Sequence, residues 1–397
     1  MKRLLLPALL LTTLTACTAA PADTLPAAVP TPTPASTPAP TAAPAPADAL
    51  TLEEKIGQLF IIRPDALDLT LPQETINDAK ADGVTMLTDA MRETLQAYPV
   101  GGICQFGKNI TDPEQLAQFN ADLQADSRTP LFIAVDEEGG AVARLANPPA
   151  FDLPQYESAA AVGASGDPAD ACAMGQTIGA YLKEYGFNMD FAPDADVNTN
   201  PDNPIIGTRA FSSDAATAAE MAAAAADGLR TSGILPTLKH FPGHGDTAED
   251  SHTALAVTYK TLDELQACEL LPFAADTGLH AVMVGHIAAP NVTGDLTPAS
   301  LSGTMITGYL RGELGFTGLV ITDSMAMHGV TDAYSSGDAA IAAIEAGVDI
   351  ILMPEGLSEA FDAVVAAAEN GTVSEARLNE SVYRVLQYKQ LYGIFNP

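Results

Sequence analysis

Residues 239–252 read KHFPGHGDTAEDSH and hold three of the chain's six histidines together with Lys239, Asp246 and Asp250. Pro242, Gly243 and Gly245 keep this backbone out of regular helix or strand. A chain with 18 Lys and Arg against 50 Asp and Glu has here gathered acid, base and cation in one irregular segment. Such loops carry chemistry more often than packing. Asp250 and His252 stand two apart, so in an extended or turning backbone the carboxylate reaches the imidazole. That pairing fixes the ring's tautomer, raises its basicity and leaves the second nitrogen to exchange a proton, a device that contributes ~10²–10⁴-fold to rate. A surface Asx-turn beside a histidine fits the same spacing. His240 and His244 stand at i and i+4 with Asp246 beyond, a spacing that on a helix suggests a metal site. Pro242 and Gly243 prevent that helix, which leaves His244 to packing and hydrogen bonding.

Asp323 follows the apolar run Val320-Ile321-Thr322 and is therefore delivered at the lip of a buried strand. A carboxylate there suits a nucleophile or an electrostatic stabiliser of an oxocarbenium-like centre; it equally suits the N-cap of a helix starting at Ser324. Asp136 follows another such run, residues 131–135, and opens Asp-Glu-Glu-Gly-Gly. Arg144 and Arg209 count because arginine is scarce. Arg209 sits in a Pro/Gly-punctuated loop, residues 203–212, where its fork of donors grips hydroxyl or carbonyl oxygens or bridges to one of the many acids.

The elements that position these residues alternate along the chain. Short β-prone apolar runs fall at 58–62, 100–105, 131–135, 187–191, 234–238, 281–285, 318–322 and 348–353. Helical segments such as 214–230 and 338–346 lie between them, and Thr51 to Glu54 has capping-box spacing. Apolar runs alternating with helices imply parallel strands joined by crossovers, and eight of them imply an α/β fold of the single (β/α)8, TIM-barrel type. A doubly wound open sheet is the rival, weakened because no glycine-rich phosphate fingerprint follows the first run. After the runs come, in turn, Asp136, Asp194 with Asp196, Lys239 with His240, His286, Asp323, and Pro354 with Glu355. In a barrel these all open on the C-terminal face of the strands, where active sites sit.

The net charge of −32 excludes a basic footprint for nucleic acid and favours an uncharged substrate or one held in a small pocket. Lys2 and Arg3 precede an apolar stretch at 4–14, too short for a typical membrane span, and Leu14-Thr15-Ala16-Cys17 has the form of a lipobox. We therefore expect residues 1–16 to be a lipoprotein signal peptide, Cys17 to carry lipid, residues 17–48 to be a linker, and 49–397 to be the barrel. An ordinary signal peptide with an incidental cysteine is the alternative. Nine prolines between Pro21 and Pro46 make the linker a semi-rigid tether. The expected location is extracytoplasmic, anchored to the bacterial cell membrane only through lipid. Cys104, Cys172 and Cys268 imply no disulfide framework.

The chain resembles glycoside hydrolase family 3, in its branch of bacterial β-N-acetylhexosaminidases, over roughly residues 50–395. Four motifs carry the resemblance: Asp136-Glu-Glu-Gly-Gly with Arg144; residues 203–211 with Arg209; Lys239-His240 through Asp250-Ser-His252; and Ile321-Thr-Asp323-Ser. It implies Asp323 as nucleophile of a retaining two-step mechanism, His252 as general acid/base and Asp250 as its dyad partner. Asp136, Arg144, Arg209, Lys239 and His240 would bind the hydroxyls and acetamido group of a terminal N-acetylglucosamine. No metal and no organic cofactor is implied, and a monomer is expected. The chain departs from the family at Ala141, where relatives often have Arg, and in residues 63–97, which read as extra sequence. The expected activity is exo-acting release of β-linked N-acetylglucosamine from peptidoglycan fragments or related glycans. Phosphorolysis, broader β-glucosidase action and, among non-enzymes, solute binding by a lipoprotein are the alternatives.

Overall fold

The computed structural model describes residues 47–248, 255–274 and 280–394. Each of the eight apolar runs holds one strand of a single parallel sheet: β1 (Phe60–Ile62), β2 (Gly102–Cys104), β3 (Phe132–Val135), β4 (Met189–Asp190), β5 (Leu235–Phe241), β6 (Ala281–Val284), β7 (Leu319–Thr322) and β8 (Ile351–Leu352). The spatial order is β7-β6-β5-β4-β3-β2-β1-β8. A parallel bridge from Ile321 to Ile350, with Thr322 N–H donating to the Ile350 carbonyl at 3.0 Å, brings β7 against β8. The sheet thus curls into a nearly closed eight-stranded α/β barrel of TIM type, with a helix in every crossover.

Alternation along the strands divides the core. Ile61, Phe132, Ala134, Met283, Leu319 and Ile321 fill the barrel interior. Their strand neighbours Phe60, Ile62, Ile133, Val282 and Val320 pack outward under the helices. The expected helices appear as Ala215–Thr231 and Ser336–Ala346, and the Thr51/Glu54 capping box is present with both hydrogen bonds. At the strand starts, Lys389 of the terminal helix Glu375–Leu391 is fully buried and donates to Gln58 Oε1 (2.6 Å) and to the carbonyls of Gly101 (2.8 Å) and Pro130 (2.6 Å). This plugs the end of the barrel opposite the candidate site.

The stretch 63–97 is not all extra sequence. Helix Asp89–Ala97 buries Met91 and Leu95 and serves as the crossover from β1 to β2. The true excursion precedes it, as the short helices Pro64–Leu67 and Gln73–Asn77. Lys108 ties that excursion down through the carbonyls of Thr75 and Ile76 (both 2.9 Å) and Asp78 (3.2 Å), and Arg63 through those of Ile76 and Asn77 (3.0 and 3.1 Å).

Candidate active site

A cavity of about 480 Å³ opens at the carboxyl ends of the strands. Asp136, Arg144, Arg209, Lys239, His240 and Asp323 all line it. Six residues drawn from three strand ends and two loops, spread over 188 positions of sequence from Asp136 to Asp323, thus share one space.

Strand β5 runs to Phe241, three residues past the run read from sequence, so Lys239 and His240 belong to the strand and not to the loop after it. The reason is a bulge. Leu238 pairs with Val282 and Phe241 with Val284, so three residues on β5 span two on β6. A bulge of this kind re-aims side chains, and here two consecutive residues both reach the cavity. Lys239 Nζ donates to Asp136 Oδ1 (2.7 Å) and lies 2.6 Å from Glu138 Oε1. His240 Nδ1 lies 2.7 Å from Asp196 Oδ2. Burial works against a charged imidazole, but attraction to Asp196 outweighs it and raises His240 above its ordinary value. A carboxylate only accepts, so the proton sits on Nδ1 and Nε2 faces Arg209 Nη2 at 3.4 Å.

After β3 the chain makes a tight hairpin, Glu137–Gly139 against Val142–Ala143, with Gly139 (φ 83°) and Gly140 (φ 60°) in the left-handed region that its turn requires. The buried Glu137 carboxylate accepts the backbone N–H groups of Arg144 (2.5 Å), Leu145 (2.9 Å) and Ala146 (2.9 Å) and the hydroxyl of Tyr181 (2.9 Å). That fixes the turn from which Arg144 enters the cavity. Arg209 resolves the choice between grip and bridge by doing the second while facing the cavity. Its Nε and Nη2 donate to the two oxygens of Glu138, both at 2.8 Å, and Nη2 lies 3.5 Å from Asp194 Oδ2. Burial opposes the Glu138 charge, yet Arg209 and Lys239 hold its carboxyl well below the usual range. Burial and the neighbouring Asp196 push Asp194 up to about 7.

Asp323 is half-buried, its N–H donating to the Val284 carbonyl (2.9 Å) and its Oδ1 accepting from Ser324 N–H (2.7 Å). The capping alternative fails here, because the next helix is His328–Thr331 with Met327 at its cap. His286, also at a strand end, is fully buried between Ser300 Oγ (2.7 Å) and the Ser324 carbonyl (2.9 Å), and so supports the β7 terminus.

His240, His244 and Asp246 do not converge as ligands. His244 Nδ1 is 2.6 Å from Thr247 Oγ1, and Asp246 pairs with Lys260 at 3.1 Å. Among the described residues, Asp194, Asp196 and His240 do place ligand-type atoms within 4.8 Å of one another. Both Asp196 oxygens are already occupied there, Oδ2 by the His240 ring and Oδ1 by the His244 N–H (2.6 Å). Cys17, Asp250 and His252 lie outside the described residues. The sequence places Asp196 at a strand end and Glu138 in the Asp136-Glu-Glu-Gly-Gly motif but assigns neither a role; the structure supplies one, Glu138 joining Arg209 and Lys239 and Asp196 holding the His240 ring.

These features define an α/β barrel with a polar small-molecule site at the carboxyl ends of its strands. The chain belongs to glycosyl hydrolase family 3, since the family's N terminal domain matches residues 51–388. It is 33% identical over 335 residues to beta-hexosaminidase A of Pseudoalteromonas piscicida, covering 77% of this chain and 56% of that one. It is 36% identical over 288 residues to the beta-hexosaminidase of Stenotrophomonas maltophilia strain K279a, covering 70% and 84%. The solved family 3 beta-N-acetylglucosaminidase from Paenibacillus sp. FPU-7 superposes with a TM-score of 0.79 at 37% identity, covering 88% of this chain and 64% of that one. The chain therefore spans under two thirds of two of these three relatives.

Proposed function

We propose that the protein is a retaining, exo-acting β-N-acetylhexosaminidase that removes terminal β-linked N-acetylglucosamine from peptidoglycan fragments or related glycans. One observation carries the reading: Asp323 opens onto the same cavity as Asp136, Arg144, Arg209, Lys239 and His240. A carboxylate shares one cavity with a set of fixed donors and acceptors, in a volume suited to a small polar ligand. The relatives named above, called beta-hexosaminidases and a beta-N-acetylglucosaminidase, support the same substrate class.

In this mechanism an Asp323 oxygen attacks the anomeric carbon while the bond to the leaving oxygen breaks, and His252 gives that oxygen its proton. Water then attacks the glycosyl-aspartate, passes its proton to His252 and frees the sugar. Asp250 holds the imidazole in the tautomer both steps need. Lys239 and Asp136 hold each other and the sugar hydroxyls; Arg209 and His240 face the same oxygens from β4 and β5. Lipid on Cys17 would hold the barrel at the outer surface of the membrane.

The test is turnover of p-nitrophenyl-N-acetylglucosaminide by the soluble domain, with and without inorganic phosphate. Hydrolysis to free sugar in both buffers is expected, with Asp323→Ala losing at least roughly 10³-fold. Sugar-1-phosphate as main product, or near-full activity in Asp323→Ala, overturns it. Membrane fractionation of Cys17→Ser checks the anchor, the variant being expected in the soluble fraction.

A further inference from the structure

His286 is fully buried, stands two residues past the end of β6 and takes no part in the mechanism above. A ring that only filled space would be better replaced by an apolar side chain, since a buried imidazole must have its nitrogens satisfied. Here both are. Nε2 lies 2.9 Å from the Ser324 carbonyl and Nδ1 lies 2.7 Å from Ser300 Oγ. A carbonyl only accepts, so Nε2 carries a proton, and in the neutral ring Nδ1 accepts the Ser300 hydroxyl. A bridge between Ala288 and Pro298 folds the chain back, so that the short turn Ala299–Leu301 delivers Ser300 to the ring.

What the ring holds is the residue after Asp323. Strand β7 ends at Thr322. Beyond it, Asp323 N–H donates to the Val284 carbonyl and Met325 N–H to the Leu352 carbonyl, both at 2.9 Å, which pins the chain to β6 and β8 on either side of Ser324. The Ser324 carbonyl falls between these anchors and is held by a side chain instead of a strand. The Ser324 N–H donates to Asp323 Oδ1 at 2.7 Å and so sets the rotation of the carboxylate. On its other flank the same segment abuts the cavity wall, since a Cβ added at Gly285 would stand 3.3 Å from His240 Cβ.

We propose that His286, with its tautomer set by Ser300, is a positioning residue that aims the Asp323 carboxylate at the reacting carbon. A reacting group must be held within roughly 0.5 Å of its productive place, and a displacement of about 1 Å costs ~10²-fold in rate. His286 is not among the residues that line the cavity, so its loss should slow turnover without weakening the grip on the sugar. The inference rests on the glycosidase reading, with Asp323 as nucleophile.

The test uses the full chain, p-nitrophenyl-N-acetylglucosaminide as substrate and N-acetylglucosamine as competitive inhibitor. The amide nitrogen of His286→Gln reaches the place of ring Nε2, and that of His286→Asn the place of Nδ1. His286→Gln should keep kcat within about fivefold of wild type. His286→Asn leaves the Ser324 carbonyl without its donor and should lower kcat by roughly 10²-fold, with the inhibition constant within about twofold of wild type. Ser300→Ala loses one neutral hydrogen bond and should lower kcat by about three- to tenfold, again at unchanged inhibition constant. It decides the matter if the Asn variant does not fold. Equal kcat in the Gln and Asn variants, or a loss carried by the inhibition constant as much as by kcat, overturns the proposal and leaves His286 a core histidine. Wild type that cleaves no N-acetylglucosaminide removes the glycosidase reading and the proposal with it. An active wild type matched by His286→Asn and Ser300→Ala removes the proposal alone.

Discussion

Glu138→Gln is the sharpest test of how the site is held. Glu138 is buried and its two oxygens serve both Arg209 and Lys239, at 2.8, 2.8 and 2.6 Å. The substitution keeps the volume and removes the charge. Deleting one partner of a buried ion pair costs about 3–5 kcal/mol, because the other charge stays buried. The lower end applies, since Lys239 keeps Asp136 at 2.7 Å and Arg209 keeps Asp194 at 3.5 Å. With an unfolding entropy of roughly 2.1 cal/mol/K per residue, a barrel of about 350 residues converts ~3 kcal/mol into a fall in Tm of ~4 °C. Catalysis should suffer more. Two of the groups that line the cavity lose their common strut, and displacement of ~1 Å is enough for a ~10²-fold loss of kcat/KM. The sign with pH follows from the depressed carboxyl. Its stabilisation is complete above the unfolded value near 4.5 and disappears as pH falls through the folded one, so the Tm gap should hold from pH 8 to about pH 5 and narrow below. Calorimetry across that range and turnover of the nitrophenyl substrate read both effects. A variant within 1 °C and twofold of wild type at pH 7 would be evidence that the triad bears no strain and positions nothing.

Asp194 titrates upward, so the folded state holds its proton between the unfolded value of 3.8 and about 7. Wild-type stability should decline as pH rises through that window, and Asp194→Asn should flatten the decline; urea midpoints at pH 4.5 and 8 measure it. Lys389→Met leaves Gln58 Oε1 and the Gly101 and Pro130 carbonyls without their donor at the far end of the barrel. A loss of about 3 kcal/mol with kcat and KM unchanged is expected, and a shift in KM would show that the plug communicates with the site.

The barrel was legible because each strand is buried on both faces and so reads as an unbroken apolar run, while turn residues and helices punctuate the rest. The site was legible where a charged residue ends such a run, as Asp136 and Asp323 do. Lys239 and His240 were seen but misplaced by one element, since a bulge leaves no mark on the local hydrophobic pattern. Glu138 and Asp196 were visible at strand ends, but their roles were not, for a different reason. Their importance lies in which cations they meet across the barrel, 71 residues away for Arg209 and 44 for His240, and spacing says nothing about partners at that range. The excursion was misjudged in extent because helix Asp89–Ala97 is only nine residues long and mostly polar, burying Met91, Thr94 and Leu95, so it reads as one with the segment before it.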